Sequence, residues 1–291
     1  MVPFSNPIWG KSILPFTGDS FEFHKEVVAN KKYRPKDPTY KDRIIALTPT
    51  IKELFKRHDQ HFENDTLARL VPERFSDDQQ MDLESLYKYS TTPFIRLKTI
   101  LTTDDNGCIQ PLCPFCTINN ANTLDHLIPK AEFPEFSDNP KNLMPCCSEC
   151  NGLKSTIWRE NTERKYLNLY LDDLPEKQFL FVRLTLQDGA ICAKYFLENR
   201  EEIDNQLFTR IANHYDKLCL CKRFSKNSEN IVSELKFLLN SCKEHLPEDT
   251  IKDIIYDYAN KERKRYGWNY WKAILIIECC NNNIIFNHLL Y

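Results

Sequence analysis

Apolar positions recur at helical spacing through most of the N-terminal third of the chain. Residues 20–31 read as a charged helix, and a Pro-bearing gap follows at 34–38. A second helix is predicted over 48–70, with Leu54, His58 and His61 one turn apart. A third runs over 78–102, carrying Met81, Leu83, Leu86, Tyr87, Phe94, Leu97 and Leu101, interrupted at Pro93. The periodicity stops at residue 104. Between 104 and 158 the chain carries six prolines and little long-period apolar pattern, which predicts a loop-rich module with little core of its own. Alternation then appears for the first time: 178–186 and 190–197 read as two strands joined by an Asp188-Gly189 turn. Four further helices are predicted, over 199–222, 228–245 with Ser228 as N-cap, 247–265 and 268–281.

Composition narrows the class. With 42% hydrophobic and 27% charged residues among 291, the chain reads as an ordinary globular protein of about two domains. Purely apolar runs such as 273–277 are far shorter than the roughly 20 residues of a membrane span. The opening residues 1–16 lack a charged segment followed by an unbroken apolar one, so no signal peptide is expected. Only 6 glycines are present, and neither GxxxxGK[ST] nor GxGxxG occurs, which argues against a Gly-rich phosphate-binding fold.

The 12 cysteines change the picture more than any percentage. Without an export signal they point to a reducing, cytoplasmic setting rather than a disulfide framework. Half of them (Cys108, Cys113, Cys116, Cys146, Cys147 and Cys150) fall within 43 residues. Two CxxC pairs, Cys113-x2-Cys116 and Cys147-x2-Cys150, offer the four thiolates of a closed tetrahedral zinc site. Cys146 competes with Cys147 for this role, and Cys108 with Cys113. Buried free thiols are the bland alternative.

Between and after the knuckles stand Asp125-His126-Leu127-Ile128-Pro129, then Asn142-Leu143, then Cys147-Ser148-Glu149-Cys150-Asn151-Gly152-Leu153-Lys154. A purely structural zinc ribbon needs no Asp-His pair and no isolated Asn. Phosphodiester hydrolysis needs a base for water, a metal against the developing phosphate charge, and a rigid frame.

These residues, about 45 of 291, resemble the HNH (His-Asn-His) endonucleases, in the branch that embeds the motif between two CxxC knuckles. The resemblance implies a small ββα-metal (HNH) core; with the helical periodicity on either side and the predicted hairpin, the chain reads as mainly α with that core and a β-hairpin, α+β overall. The change of texture along the chain divides it into a helical region at 1–103, a zinc-stapled nuclease core at 104–166, and a hairpin-plus-helices region at 167–291. By position the resemblance implies His126 as general base and Asp125 as ligand of a catalytic divalent metal, Mg²⁺ or Mn²⁺. Asn142 would brace the loop carrying His126. Asn151 stands where many members have the final His. An amide oxygen still suits a hard metal, and this departure argues against Zn²⁺ or Ni²⁺ as the catalytic ion. Lys154 would meet a phosphate oxygen.

Charge bears on the partner. The formal net charge is −2, and from 113 to 166 six Lys/Arg face seven Asp/Glu. Affinity for nucleic acid rests on basic contacts, so DNA, the favoured substrate, implies a second protein that helps hold it. Anti-phage systems of the Septu type, which pair a two-CxxC HNH subunit with an ATPase, are similar in layout. The competing expectation is a catalytically silent zinc module that binds nucleic acid or protein. His58 and His61, Cys219 with Cys221, and Cys279 with Cys280 read as packing. Lys261–Arg265 with Tyr266, Trp268, Tyr270 and Trp271 reads either as a nucleic-acid contact or as a helix end with inward aromatics.

Overall fold

A computed structural model describes residues 13–104, 107–154 and 156–291. Most of the stretch on which the signal-peptide expectation rests lies outside the described residues. Among those described are ten α-helices and three two-stranded antiparallel sheets, a mixed α+β chain as expected. The chain divides into two compact units, Leu14–Asp172 and one containing Asp173–Tyr291.

In the first unit, α1 (Ser20–Ala29) starts where the Asp19 carboxylate accepts from the amides of Phe21 and Glu22 at 2.7 and 3.0 Å. Helix α2 (Tyr40–Glu63) begins eight residues before the expected start at 48, because Tyr40, Ile44, Leu47 and Ile51 continue one buried stripe. Pro49 is tolerated inside it on the exposed side, where water can meet the carbonyl left unpaired. The predicted helix over 78–102 is in fact two. Helix α3 (Asp77–Glu84) opens with a Ser76/Gln79 capping box, and its end is held by Lys31, whose Nζ donates to the carbonyls of Ser85 and Leu86 at 2.8 and 2.6 Å. Helix α4 (Thr92–Thr102) then uses Pro93 as a starter rather than suffering it as a break.

Beyond α4, β1 (Thr123–His126) pairs with β2 (Leu143–Cys146), with Thr123 opposite Cys146 and His126 opposite Leu143. Helix α5 (Ser148–Leu153) follows and packs on β1, completing a ββα unit. The Pro-bearing, acidic loop from 127 to 142 is largely buried. Ile128, Phe133 and Phe136 are each 0% exposed and join one apolar cluster with Phe23, Ile51, Leu54, Phe55 and Phe94. Packing against the helices thus supplies the core that this module cannot build alone. Two short strands, β3 (Arg159–Glu160) and β4 (Glu163–Arg164), close the unit.

The second unit holds the hairpin of β5 (Leu180–Gln187) and β6 (Ala190–Leu197), turned at Asp188 and Gly189 with φ of 49° and 79°. Its helices are α6 (Asn205–Lys217), α7 (Leu220–Cys242), α8 (Glu248–Tyr266), α9 (Trp271–Asn281) and α10 (Asn283–Leu290). Two expectations are corrected. The helix predicted over 199–222 starts only at Asn205, capped by Asp204, and stops at Lys217, because Cys219 adopts a left-handed φ of 50°. Helix α7 then begins eight residues before Ser228, which is buried within it, its Oγ donating to the Ser225 carbonyl at 2.6 Å. Helix α10 was not anticipated. Arg263 donates to the Trp268 carbonyl, Gly267 ends α8 at φ 104°, and Tyr270 and Trp271 are buried, so these aromatics pack inward. No single helix among the described residues is long and apolar enough to cross a membrane.

Candidate active site

Two tight turns bring four thiols together. In the first, the Cys113 amide donates to the Asn119 carbonyl and the Thr117 amide to that of Cys113, at 2.7 and 2.8 Å. In the second, Cys147 caps α5, its Sγ accepting from the Cys150 amide at 3.4 Å. The Sγ atoms of Cys113, Cys116, Cys147 and Cys150 all lie within 4.8 Å of one another, and those of Cys116 and Cys147 are 3.9 Å apart. Zn–S bonds of about 2.3 Å in a tetrahedron put sulfurs about 3.8 Å apart, so the set fits a structural zinc ion. Hydrogen bonding from Cys113 draws the Cys116 thiol down to about 7 and the Cys147 thiol well below its usual range, while Cys150 is pushed up and burial pushes Cys113 up, so the four thiols do not ionise alike. Cys146 lies outside this cluster, in β2, and Cys108 is exposed. The geometry therefore resolves both competitions.

The same frame carries the Asp-His pair. Alternation along β1 sends Thr123 and Asp125 toward one face and Leu124 and His126 toward the other. On the first face α5 answers both. Asn151 Nδ2 lies 3.5 Å from Thr123 Oγ1, and Lys154 is ion-paired with Asp125. Lys154 Nζ also donates to the His126 carbonyl at 3.0 Å. Lys154, expected as a phosphate contact, is thus engaged by the protein itself, with its side chain 10% exposed. Burial pushes the Asp125 carboxyl up, and the Lys154 charge works against that rise.

On the other face, His126 Nε2 donates to the Ser137 carbonyl at 2.9 Å. That bond assigns the ring proton to Nε2 and leaves the Nδ1 lone pair free. Burial lowers the imidazole to about 4, so the ring is neutral near pH 7. Asn142 holds the loop that bears Ser137. Its Oδ1 accepts from the Ile128 amide at 2.7 Å, and its Nδ2 donates to the carbonyls of Ile128 and Phe136 at 3.0 and 3.2 Å.

One contact of the site had no sequence signal. Tyr87, counted as an apolar helix position, lies between α3 and α4. Its hydroxyl donates to the Leu124 carbonyl at 2.8 Å, and its ring meets the His126 ring edge-on, with centroids 4.5 Å apart. Nothing local marks a residue 39 positions upstream as a wall for the imidazole.

The cations counted in this region are largely spent internally. Lys141 pairs with Asp59, Arg159 with Glu132, and Arg164 with Asp65 and Asp172.

Residues 113–156 match the family model of HNH endonucleases. Over 185 residues the chain is 23% identical to protein ea31 of Escherichia phage lambda, covering 59% of this chain and 62% of that protein. Over 64 residues it is 33% identical to Septu protein PtuB of Bacillus thuringiensis, covering 22% of this chain and 24% of that one. The chain therefore spans less than two thirds of either curated relative. No solved structure is significantly similar to it. The segment that carries the cysteine cluster and the Asp125-His126 pair thus matches the HNH endonuclease family, as its motifs imply.

Proposed function

We propose that this protein is a metal-dependent endonuclease that hydrolyses phosphodiester bonds in nucleic acid, DNA above RNA. The observation that carries the reading is the state of His126: a neutral ring, tied through Nε2, with Nδ1 unencumbered. In this reading His126 Nδ1 takes a proton from water and the oxygen so freed attacks phosphorus. The bond from phosphorus to the leaving oxygen breaks, and that oxygen takes up a proton from solvent. Asn142 keeps the Ser137 carbonyl beneath the ring. The donor chemistry fits a hard cation: Asp125 offers a carboxylate already matched to a positive charge, and Asn151, whose Nδ2 lies 3.5 Å from Thr123 Oγ1 on the same face of β1, carries an amide oxygen. Mg²⁺ or Mn²⁺ bound there would neutralise charge building on the phosphate, retaining several waters as such ions do. With a cation on Asp125, Lys154 would be released to meet a phosphate oxygen. In this reading Asp125 and Asn151 would face the metal, Lys154 the phosphate, and His126, braced by Asn142, would move the proton.

The near-neutral charge and the internal pairing of Lys141, Arg159 and Arg164 support a protein partner that holds the substrate. The PtuB likeness supports a nuclease subunit of a Septu-type defence complex; a cytoplasmic setting and an ATPase as partner class are part of the same proposal.

Plasmid cleavage with Mg²⁺ or Mn²⁺ tests the assignment. His126→Ala should lower the rate by about 10²- to 10⁴-fold. Because His126 is already neutral well above pH 4, wild-type cleavage should gain nothing from its titration between about pH 6 and 8. Equal cleavage by both proteins would remove His126 as the base, and no cleavage by either would leave the silent zinc module. Efficient cutting by the purified chain alone would remove the need for a partner.

A further inference from the structure

Helix α1 lies outside the segment that matches the endonuclease family, yet it reaches the loop behind His126. His24 is 0% exposed, and its Nδ1 donates to Oδ2 of Asp138 at 2.7 Å, Asp138 being 0% exposed as well. Asp138 directly follows Ser137, whose carbonyl accepts the His126 Nε2 proton at 2.9 Å. Backbone bonds brace the turn on either side of that peptide, the Ser137 amide donating to the Pro134 carbonyl at 3.1 Å and the Asn139 amide to that of Phe136 at 3.3 Å, and side chains fasten its flanks. Asn142 bonds to Ile128 and Phe136, Ser137 Oγ donates to the Pro134 carbonyl at 2.7 Å, and Asn139 Oδ1 caps the Lys141 amide at 3.0 Å. The His24 bond is what holds the Asp138 side chain.

The environment makes this bond costly for packing alone. The His24 ring sits among apolar rings, 5.9 Å from Phe21 and 5.7 Å from Phe55 between centroids. His24 Nε2 and Asp138 Oδ1 have no protein partner. An apolar pair of similar size would fill the same space without burying an imidazole and a carboxylate, which costs free energy unless the geometry is needed.

We infer that His24 is a positioning residue for His126: by fixing Asp138 it aims the Ser137 carbonyl at His126 Nε2 and holds the ring in the tautomer that leaves Nδ1 free. A displaced acceptor lets the ring turn or the proton move to Nδ1, and the base is lost. The consequence for cleavage rests on the endonuclease reading; the consequence for the tautomer does not.

Two substitutions separate this role from packing. His24→Phe keeps a ring in the apolar slot and removes the donor. His24→Asn places an amide N–H where Nδ1 stood. The tautomer is read from the imidazole ¹⁵N shifts of His126 in the full chain, assigned by their loss in His126→Gln. Zinc content and thermal unfolding report the fold. In His24→Phe the His126 signals should move from the Nε2–H pattern toward a mixture, and the saturating cleavage rate should fall about 10- to 100-fold. The half-saturating substrate concentration should stay unchanged. His24→Asn should restore both readouts. A folded His24→Phe protein with wild-type His126 signals overturns the inference, as does an equal loss in both variants. Should His24→Phe not fold, Asp138→Leu, which removes the acceptor, must move the His126 signals in the same direction, and unmoved signals overturn it. A wild-type protein that cuts no nucleic acid while its His126 signals respond to His24 would remove the endonuclease reading and leave the positioning intact.

Discussion

At the residue scale, the site is governed by burial acting on charge. Asp125 and His126 are neighbours in sequence, yet burial moves them in opposite directions, raising the carboxyl and lowering the imidazole. Each shift disfavours the charged form, and each residue has one compensating partner: Lys154 for Asp125, the Ser137 carbonyl for His126. Lys154→Met should therefore be costly, because it strands a buried carboxylate. Removing one member of a buried pair typically destabilises by about 3–5 kcal/mol. Urea unfolding should show a loss of that order near neutral pH. The loss should shrink as pH falls through the Asp125 pKa, since the protonated carboxyl needs no countercharge. A loss below about 1 kcal/mol at neutral pH would mean that the pair is solvated and contributes little.

At the element scale, the ββα unit is a short hairpin and a helix of six residues, too small to persist without support. Support comes from two directions: the cysteine cluster at the start of α5, and the helical core beneath the loop from 127 to 142. Cys146 and Cys147 separate the two. Cys147→Ser should abolish stoichiometric zinc and expose β1 and α5 to proteolysis, because Sγ of Cys147 is both a cluster thiol and the helix cap. Cys146→Ser should retain zinc, its cost coming from a hydroxyl placed in a fully buried strand position. Zinc assay and limited proteolysis check the pair, and the reverse pattern would reassign the cluster.

At the scale of the whole molecule, the first unit joins helices and nuclease module around one apolar cluster. A cut at 103/104 would pass through no linker in energetic terms, since Phe133 and Phe136 share that cluster with Phe23, Leu54 and Phe55. A fragment spanning 104–166 should remain unfolded even with zinc supplied. One spanning 14–172 should give dispersed NMR spectra and a cooperative melt. A folded zinc-bound 104–166 fragment would show that the knuckles suffice. The second unit has its own buried centre, around Tyr195, Phe224 and Trp271, and no site residue lies in it.

What the sequence by itself determined was local. The two CxxC knuckles, the Asp125-His126 pair and the hairpin at Asp188-Gly189 are specified by residues a few positions apart, so spacing alone reveals them. Helix α8 was legible for the same reason, with a Pro-Glu-Asp start and a Gly stop. Asn142 was legible only through its place in the motif. The breaks between α3 and α4 and between α6 and α7 were legible as breaks but not in place: Lys31 ends α3 ahead of Pro93, and a left-handed Cys219 ends α6 before the expected 222. Tertiary structure alone decided that Cys147 rather than Cys146 joins the cluster, that Lys154 faces Asp125, and that Tyr87 and His24 reach the neighbourhood of His126. The physical reason is one of range. A turn or a cap is settled by bonds between near neighbours. The tautomer of His126 depends on a carbonyl eleven residues away in the chain, which is held by a helix more than a hundred residues upstream.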